Sequence, residues 1–155
     1  MLQKGTLFLA VAVLFSTCSQ APVVDLEAEE EQIQQLNQQW YEAENRKDLD
    51  TIMQRFLAED CILHVPGIGP LEGHESIRAF MAAFFESLVS VSGGPTQIVV
   101  SASGDLAYDW GATHAVLEGP EGRVDDEQKY LIVWQKIDGE WKAVAGSFSS
   151  NLPIS

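Results

Sequence analysis

From Asp25 onward the apolar positions follow two periods in turn. Ile33, Leu36, Trp40 and Ala43 recur every three or four residues, the spacing that lays one stripe along one side of a helix. Asp25 stands where it can cap that helix, and Glu27, Glu29, Glu30 and Glu31 load its first turn with the sign the helix dipole favours. The four glutamates read as a solvated helix face rather than a cation site. Asp48 predicts the cap of a second helix over residues 48–57, with Leu49, Ile52, Met53 and Phe56 inward. A third helix is predicted over residues 74–90, with Ile77, Phe80, Met81, Phe84 and Leu88 on one side and His74 as a cap residue.

Between the second and third helices lies a short strand, Cys61–Val65, halted by the turn-forming run PGIGP. Gly93-Gly94-Pro95 is read as a break, after which strand patterns predominate: residues 96–101, Leu106–Leu117, Glu127–Ile137 and a last arm ending near Ser149. Tyr130–Ser149 reads as a hairpin turning on Asp138-Gly139, a two-residue loop of the favoured kind. Trp134 and Trp141 bracket the turn, so the hairpin needs a large apolar partner. Three amphipathic helices that must cover one sheet make a single α+β domain.

The N-terminal run breaks this pattern. Leu7–Phe15 is unbroken apolar sequence behind one lysine, followed by Ser16, Thr17 and Cys18. It has the order of a secretory signal and is too short to span a bilayer. The placement of Cys18 resembles the lipobox of bacterial lipoproteins, which implies lipid attachment at Cys18 and export to the membrane on the periplasmic side. Thr17 departs from that pattern, and cleavage near Ala21 with release into the periplasm or medium is the alternative. The expected organisation is therefore residues 1–18 as signal peptide, 19–26 as tether and 27–152 as domain. Cys61 is then left without an intrachain partner and reads as a buried, inert thiol.

Composition narrows the partners. A net charge of −14 argues against nucleic acid and against a basic membrane-binding patch, leaving a lipid anchor as the only expected membrane contact. The three histidines lack metal-ligand spacing, and no metal or cofactor is expected.

Several stretches carry a family resemblance. The segment from Trp40 to Asp50, then FLAEDCILHVPG, LEGHESIRAFM, SGDLAYDWG and YLIVWQKIDGEWKAV, resemble in order the motifs of the DUF4440 branch of the SnoaL-like proteins. Those proteins share the cone-shaped α+β fold of nuclear transport factor 2 and ketosteroid isomerase. The resemblance spans residues 27–152 and implies three N-terminal helices packed on a strongly curved antiparallel sheet, with a blind, mostly apolar cavity between them. It also implies a homodimer through the outer sheet face, where Tyr108 and Trp110 would lie. The scaffold serves many functions, so the resemblance bears on fold more than on chemistry.

Carried over residue by residue, the acid–base positions of ketosteroid isomerase fall on Trp40, Val65 and Ile132 or Val133. None of these residues is an acid or a base, though the Trp40 indole can donate a hydrogen bond. His64 is the one candidate base, and strand alternation with Val65 decides whether it faces the cavity. His114 lies in phase with Tyr108 and Trp110, opposite Asp109, Gly111 and Thr113, so it cannot pair with Asp109 across a regular strand. Tyr130, Trp134 and Trp141 read as core before ligand contacts, and Asp125 and Asp126 as a solvated turn. The expected pocket set is Trp40, Val65, Tyr108, His114, Ile132, Trp134 and Ser147, holding an unidentified small apolar molecule. The alternative is a cofactor-independent isomerase, cyclase or dehydratase with His64 as base.

Overall fold

The structure is a computed structural model that describes residues 24–152. The expected signal peptide, Cys18 and most of the expected tether lie outside the described residues. Helix α1 runs Leu26–Asn45, capped by the Asp25 carboxylate on the Ala28 N–H, and buries Ile33, Leu36, Asn37, Trp40 and Ala43. Beyond its Arg46 cap the chain turns at Lys47, which adopts a left-handed backbone (φ 56°). The Asp48 N–H then returns to the Ala43 carbonyl at 2.9 Å, a closure in the manner of a Schellman end. Glu29 departs from the solvated-face reading. It accepts from Lys136 Nζ at 2.6 Å and from Trp141 Nε1 at 2.8 Å, tying the first turn of the helix to the terminal hairpin. Burial alone would raise the Glu29 carboxyl, but those hydrogen bonds outweigh it and hold the pKa below the usual carboxylate value.

The second helix is shorter than the pattern predicts. Asp48 caps α2 (Leu49–Thr51) through the Thr51 N–H and hydroxyl. The chain then widens into a π-helical turn, Ile52–Phe56, which buries Ile52, Met53 and Phe56 together. Strand β1 (Leu57–His64) follows directly, four residues earlier than expected, and β2 (Leu71–Glu72) is a two-residue strand absent from the prediction. Helix α3 covers Gly73–Ser87, with Ile77, Met81 and Phe85 buried. His74 does not cap it: the cap position is Glu72, and the His74 Nε2 is buried without a hydrogen-bond partner among the described residues.

Four long strands complete the chain: β3 (Leu88–Val100), β4 (Leu106–Gly119), β5 (Gly122–Ile137) and β6 (Glu140–Ser150). Asp138 and Gly139 both take positive φ, 51° and 84°, as a two-residue hairpin loop of the I′ type requires. The sheet order is β2-β1-β6-β5-β4-β3. It is mixed rather than wholly antiparallel, because β1 runs parallel to β6 while every other pairing is antiparallel. Register shifts interrupt β1, β3 and the β5–β6 ladder, and such bulges bend a sheet and sharpen its twist. Gly93-Gly94-Pro95 is one of these sites: the pairing with β4 continues across it, so the predicted break is a bulge inside β3. The helices cover the concave face, where Ile33, Trp40, Phe56, Trp134 and Trp141 make the core.

Candidate functional site: a one-sided cavity with a single charge

Between α1, α3 and the concave sheet face lies a cavity of about 320 Å³, at the small end of the range for small-molecule sites. Its walls are chiefly apolar and aromatic. Trp40 and Tyr41 come from α1, Phe80, Met81 and Phe84 from α3, Leu63, Val65 and Pro66 from β1 and the turn after it, and Val91, Tyr130, Ile132 and Phe148 from the long strands. Trp40 is held in place from behind, stacked on Phe56 with ring centroids 5.5 Å apart and edge-on to Trp134 at 6.2 Å. Tyr130 stacks on Phe148.

Polar groups enter from α1 and from the β4–β5–β6 side: Asn37, Tyr41, Glu44, Thr113, Gln128, Tyr130, Ser149 and Ser150. Glu44 follows Trp40 by one turn and accepts from its Nε1 at 3.0 Å. Burial in the apolar wall pushes the Glu44 carboxyl up to about 7, and the Trp40 hydrogen bond only partly offsets it. The group is therefore poised between its two protonation states near neutral pH, where a general acid or base is most effective.

Behind the cavity wall Asp109 is fully buried on β4. It accepts from Asn37 Nδ2 at 2.6 Å, Trp134 Nε1 at 2.7 Å and the Tyr130 hydroxyl at 3.1 Å. Burial raises its pKa against the pull of those donors. Tyr130 in turn meets Thr96 Oγ1 at 2.8 Å. Burial pushes the Tyr41 hydroxyl up to about 12 and raises Tyr130 as well, so both phenols remain protonated and able to donate. Gly93 belongs to this construction: a Cβ there would stand 2.5 Å from Cε2 of the Tyr41 ring. Asp126 is also buried, not a solvated turn residue, because β5 begins at Gly122 and carries it inward. Its carboxylate takes hydrogen bonds from Gln128 Nε2 at 2.7 Å and Ser150 Oγ at 2.6 Å, orienting both residues.

Of the expected pocket residues, Trp40, Val65 and Ile132 line the cavity. Trp134 is buried behind it, on Asp109. Tyr108, His114 and Ser147 are exposed and lie outside it. On β4 the inward residues are Ala107, Asp109, Thr113 and Ala115, which turns Tyr108 and His114 to the convex face, where His114 Nε2 stands 3.3 Å from Asp125. His64 is likewise exposed and does not line the cavity, since it alternates with buried Leu63. The candidate carboxyl is instead Glu44, which the sequence reading passed over. Its signal was spacing: Ile33, Asn37, Trp40 and Glu44 continue one helical stripe, and a carboxylate on an apolar stripe is out of place. Cys61 is buried, and burial pushes its thiol up to about 12.

Residues 37–144 match the SnoaL-like domain family. The chain belongs to that family. Among solved structures, a candidate calcium/calmodulin-dependent protein kinase II association domain from Xanthomonas campestris is 21% identical, with a TM-score of 0.70 over 92% of this chain and 100% of that one. A candidate dehydratase of the NTF2-like family from Streptomyces avermitilis is 19% identical, with a TM-score of 0.70 over 82% and 99%. A ketosteroid isomerase-like protein from Erwinia carotovora atroseptica is 19% identical, with a TM-score of 0.63 over 83% and 95%. These likenesses establish the NTF2-like fold. Among curated proteins none matches. In this SnoaL-like domain, then, the cavity occupies the concave side of the NTF2-like sheet and carries its own set of polar groups.

Proposed function

We propose that the SnoaL-like domain binds a small, largely apolar molecule in the cavity between α1, α3 and the sheet. The observation that carries this reading is the lining itself: a wall of aromatic and aliphatic side chains with a few oriented polar groups on α1 and the β4–β5–β6 side. Binding of an apolar fluorescent dye tests it. A single saturable site is expected, and Val91→Trp, which fills the cavity from β3, removes it. Dye that binds the Val91→Trp variant as well as the wild type would place the site elsewhere.

A second reading, cofactor-independent acid–base chemistry of the isomerase or dehydratase kind, rests on Glu44. A carboxyl pushed up to about 7 beside the protonated Tyr41 hydroxyl pairs a proton acceptor with a donor on one wall. The Glu44→Gln variant would then abolish turnover while keeping the cavity's shape, whereas a His64→Ala variant would leave turnover unchanged.

Three further assignments stand on sequence patterns. The motifs from Trp40 to Val144 support the DUF4440 branch. The run ending at Cys18 supports export and a lipid anchor, which a Cys18→Ala variant would release from the membrane fraction. Among the described residues no helix is long and apolar enough to cross a membrane. Exposed Val99, Leu106, Tyr108, Trp110 and Leu131 on the convex face support a homodimer, and a strict monomer by light scattering would refute it.

A further inference from the structure

The cavity carries charge of one sign only. Among the described residues Glu44 is its one ionisable carboxyl, and no lysine, arginine or histidine lines it. Glu44 Oε1 accepts from Trp40, while its other oxygen has no hydrogen-bond partner among the described residues. Two more carboxyls, Asp109 and Asp126, lie buried behind the same walls, each held by neutral donors alone. Basic side chains are engaged elsewhere: Lys136 on Glu29, Arg78 on Asp50, and Arg55 and Lys142 on Glu140. The same cavity is lined by Trp40, Tyr41, Phe80, Phe84, Tyr130 and Phe148, rings whose faces attract cations.

We propose that the ligand is an apolar amine, with its ammonium on the Glu44 carboxylate and its hydrocarbon body against the aromatic walls. This rests on the small-molecule-binding reading above and names the class of molecule that the site takes. A carboxylate half-buried in an apolar wall without a counter-ion is costly, and a cation brought by the ligand supplies what the cavity lining omits. A ligand anion would be desolvated beside Glu44 with no positive group to receive it, so carboxylates and phosphates are excluded by the same arrangement. The net charge of −14 adds a field that draws cations toward the molecule. Ammonium binding also favours the ionised form of Glu44, so near pH 6 the amine expels a proton from the site as it enters.

Four probes of related shape separate the possibilities: tryptamine, the neutral alcohol tryptophol, the anion indoleacetate, and indole itself. Their binding to the full mature chain is measured by calorimetry. At about pH 8, tryptamine is expected to bind at least about tenfold more tightly than tryptophol, as a charge-assisted contact in a largely apolar site should, and indoleacetate not at all. The tryptamine preference should shrink as pH falls to about 5.5 and Glu44 takes up its proton. In the Glu44→Gln variant the preference and its pH dependence disappear, while tryptophol and indole bind within about twofold of the wild type, which shows that the variant is folded. Calorimetry of the wild type near pH 6 in buffers of different ionisation enthalpy should register proton release with tryptamine and none with tryptophol. If indole and tryptophol bind but tryptamine gains nothing, or if the gain survives Glu44→Gln, the amine assignment is overturned and the apolar pocket stands. If none of the four binds, the pocket reading falls together with it.

Discussion

Replacing Glu44 by glutamine should stabilise the protein, and only at high pH. The carboxyl moves from its ordinary value of 4.5 to about 7 in the folded chain. At about 1.36 kcal/mol per pKa unit this shift corresponds to about 3 kcal/mol, reduced to about 2–3 kcal/mol by water reaching the half-buried group through the cavity. Folding tightens the hold of Glu44 on its proton. Its contribution is therefore full below the ordinary carboxyl pKa and is lost as pH rises through about 7. Glutamine keeps an oxygen for the Trp40 N–H and cannot ionise. The stability difference between variant and wild type should be near zero at about pH 4 and grow to about 2–3 kcal/mol by about pH 8.5, worth roughly 10 °C in Tm. Other titrating groups cancel in that difference. Urea denaturation of both proteins at matched ionic strength across this range measures it. A difference that stays flat with pH, or a variant less stable than the wild type at high pH, would refute the reasoning.

Other substitutions test the surroundings of the cavity. Asp109→Asn turns one of the two acceptor oxygens into a donor facing Asn37, Trp134 and Tyr130; a loss of about 3 kcal/mol in chemical denaturation is expected, and a loss under about 1 kcal/mol would show the network to be slack. Gly93→Ala sets a methyl against the Tyr41 ring and should cost about 1–3 kcal/mol while weakening dye binding; unchanged dye affinity would mean that Tyr41 does not shape the cavity. Asp48→Ala removes both hydrogen bonds to Thr51 and should cost about 1 kcal/mol in thermal denaturation without altering the cavity. His64→Ala, on the exposed side of β1, should leave dye binding unchanged, and a clear loss would return His64 to the site.

Much of the frame was legible because local chemistry and global fold agree there. The Asp138-Gly139 turn, the Asp25 and Asp48 caps and the alternation along β4 all follow from rules that act over a few residues. The parity of β4 alone sets His114 opposite Asp109. What escaped was decided by long-range pairing. Nothing local shows that β1 lies parallel to β6, that Gly93-Gly94-Pro95 is a bulge kept small for Tyr41, or that Ile52–Phe56 widens into a π turn. Burial of charged residues was equally hidden. Glu29, Glu44 and Asp126 are polar residues in polar neighbourhoods of the sequence, and their roles come from Trp141, Trp40 and Ser150 respectively. Glu29 and Glu44 alone left a trace, as acids that continue the apolar stripe of α1 at its two ends.

The central claim is that the concave side of this SnoaL-like domain holds a small molecule. A crystal structure of the protein purified from its native cells, with the cavity density refined against mass spectrometry of the extracted ligand, tests it most directly. The account predicts a discrete molecule between Trp40, Phe84 and Tyr130, with a polar atom at hydrogen-bond distance from Glu44. A cavity filled by Phe80 and Phe84, or by an ordered chain of water alone, would contradict it.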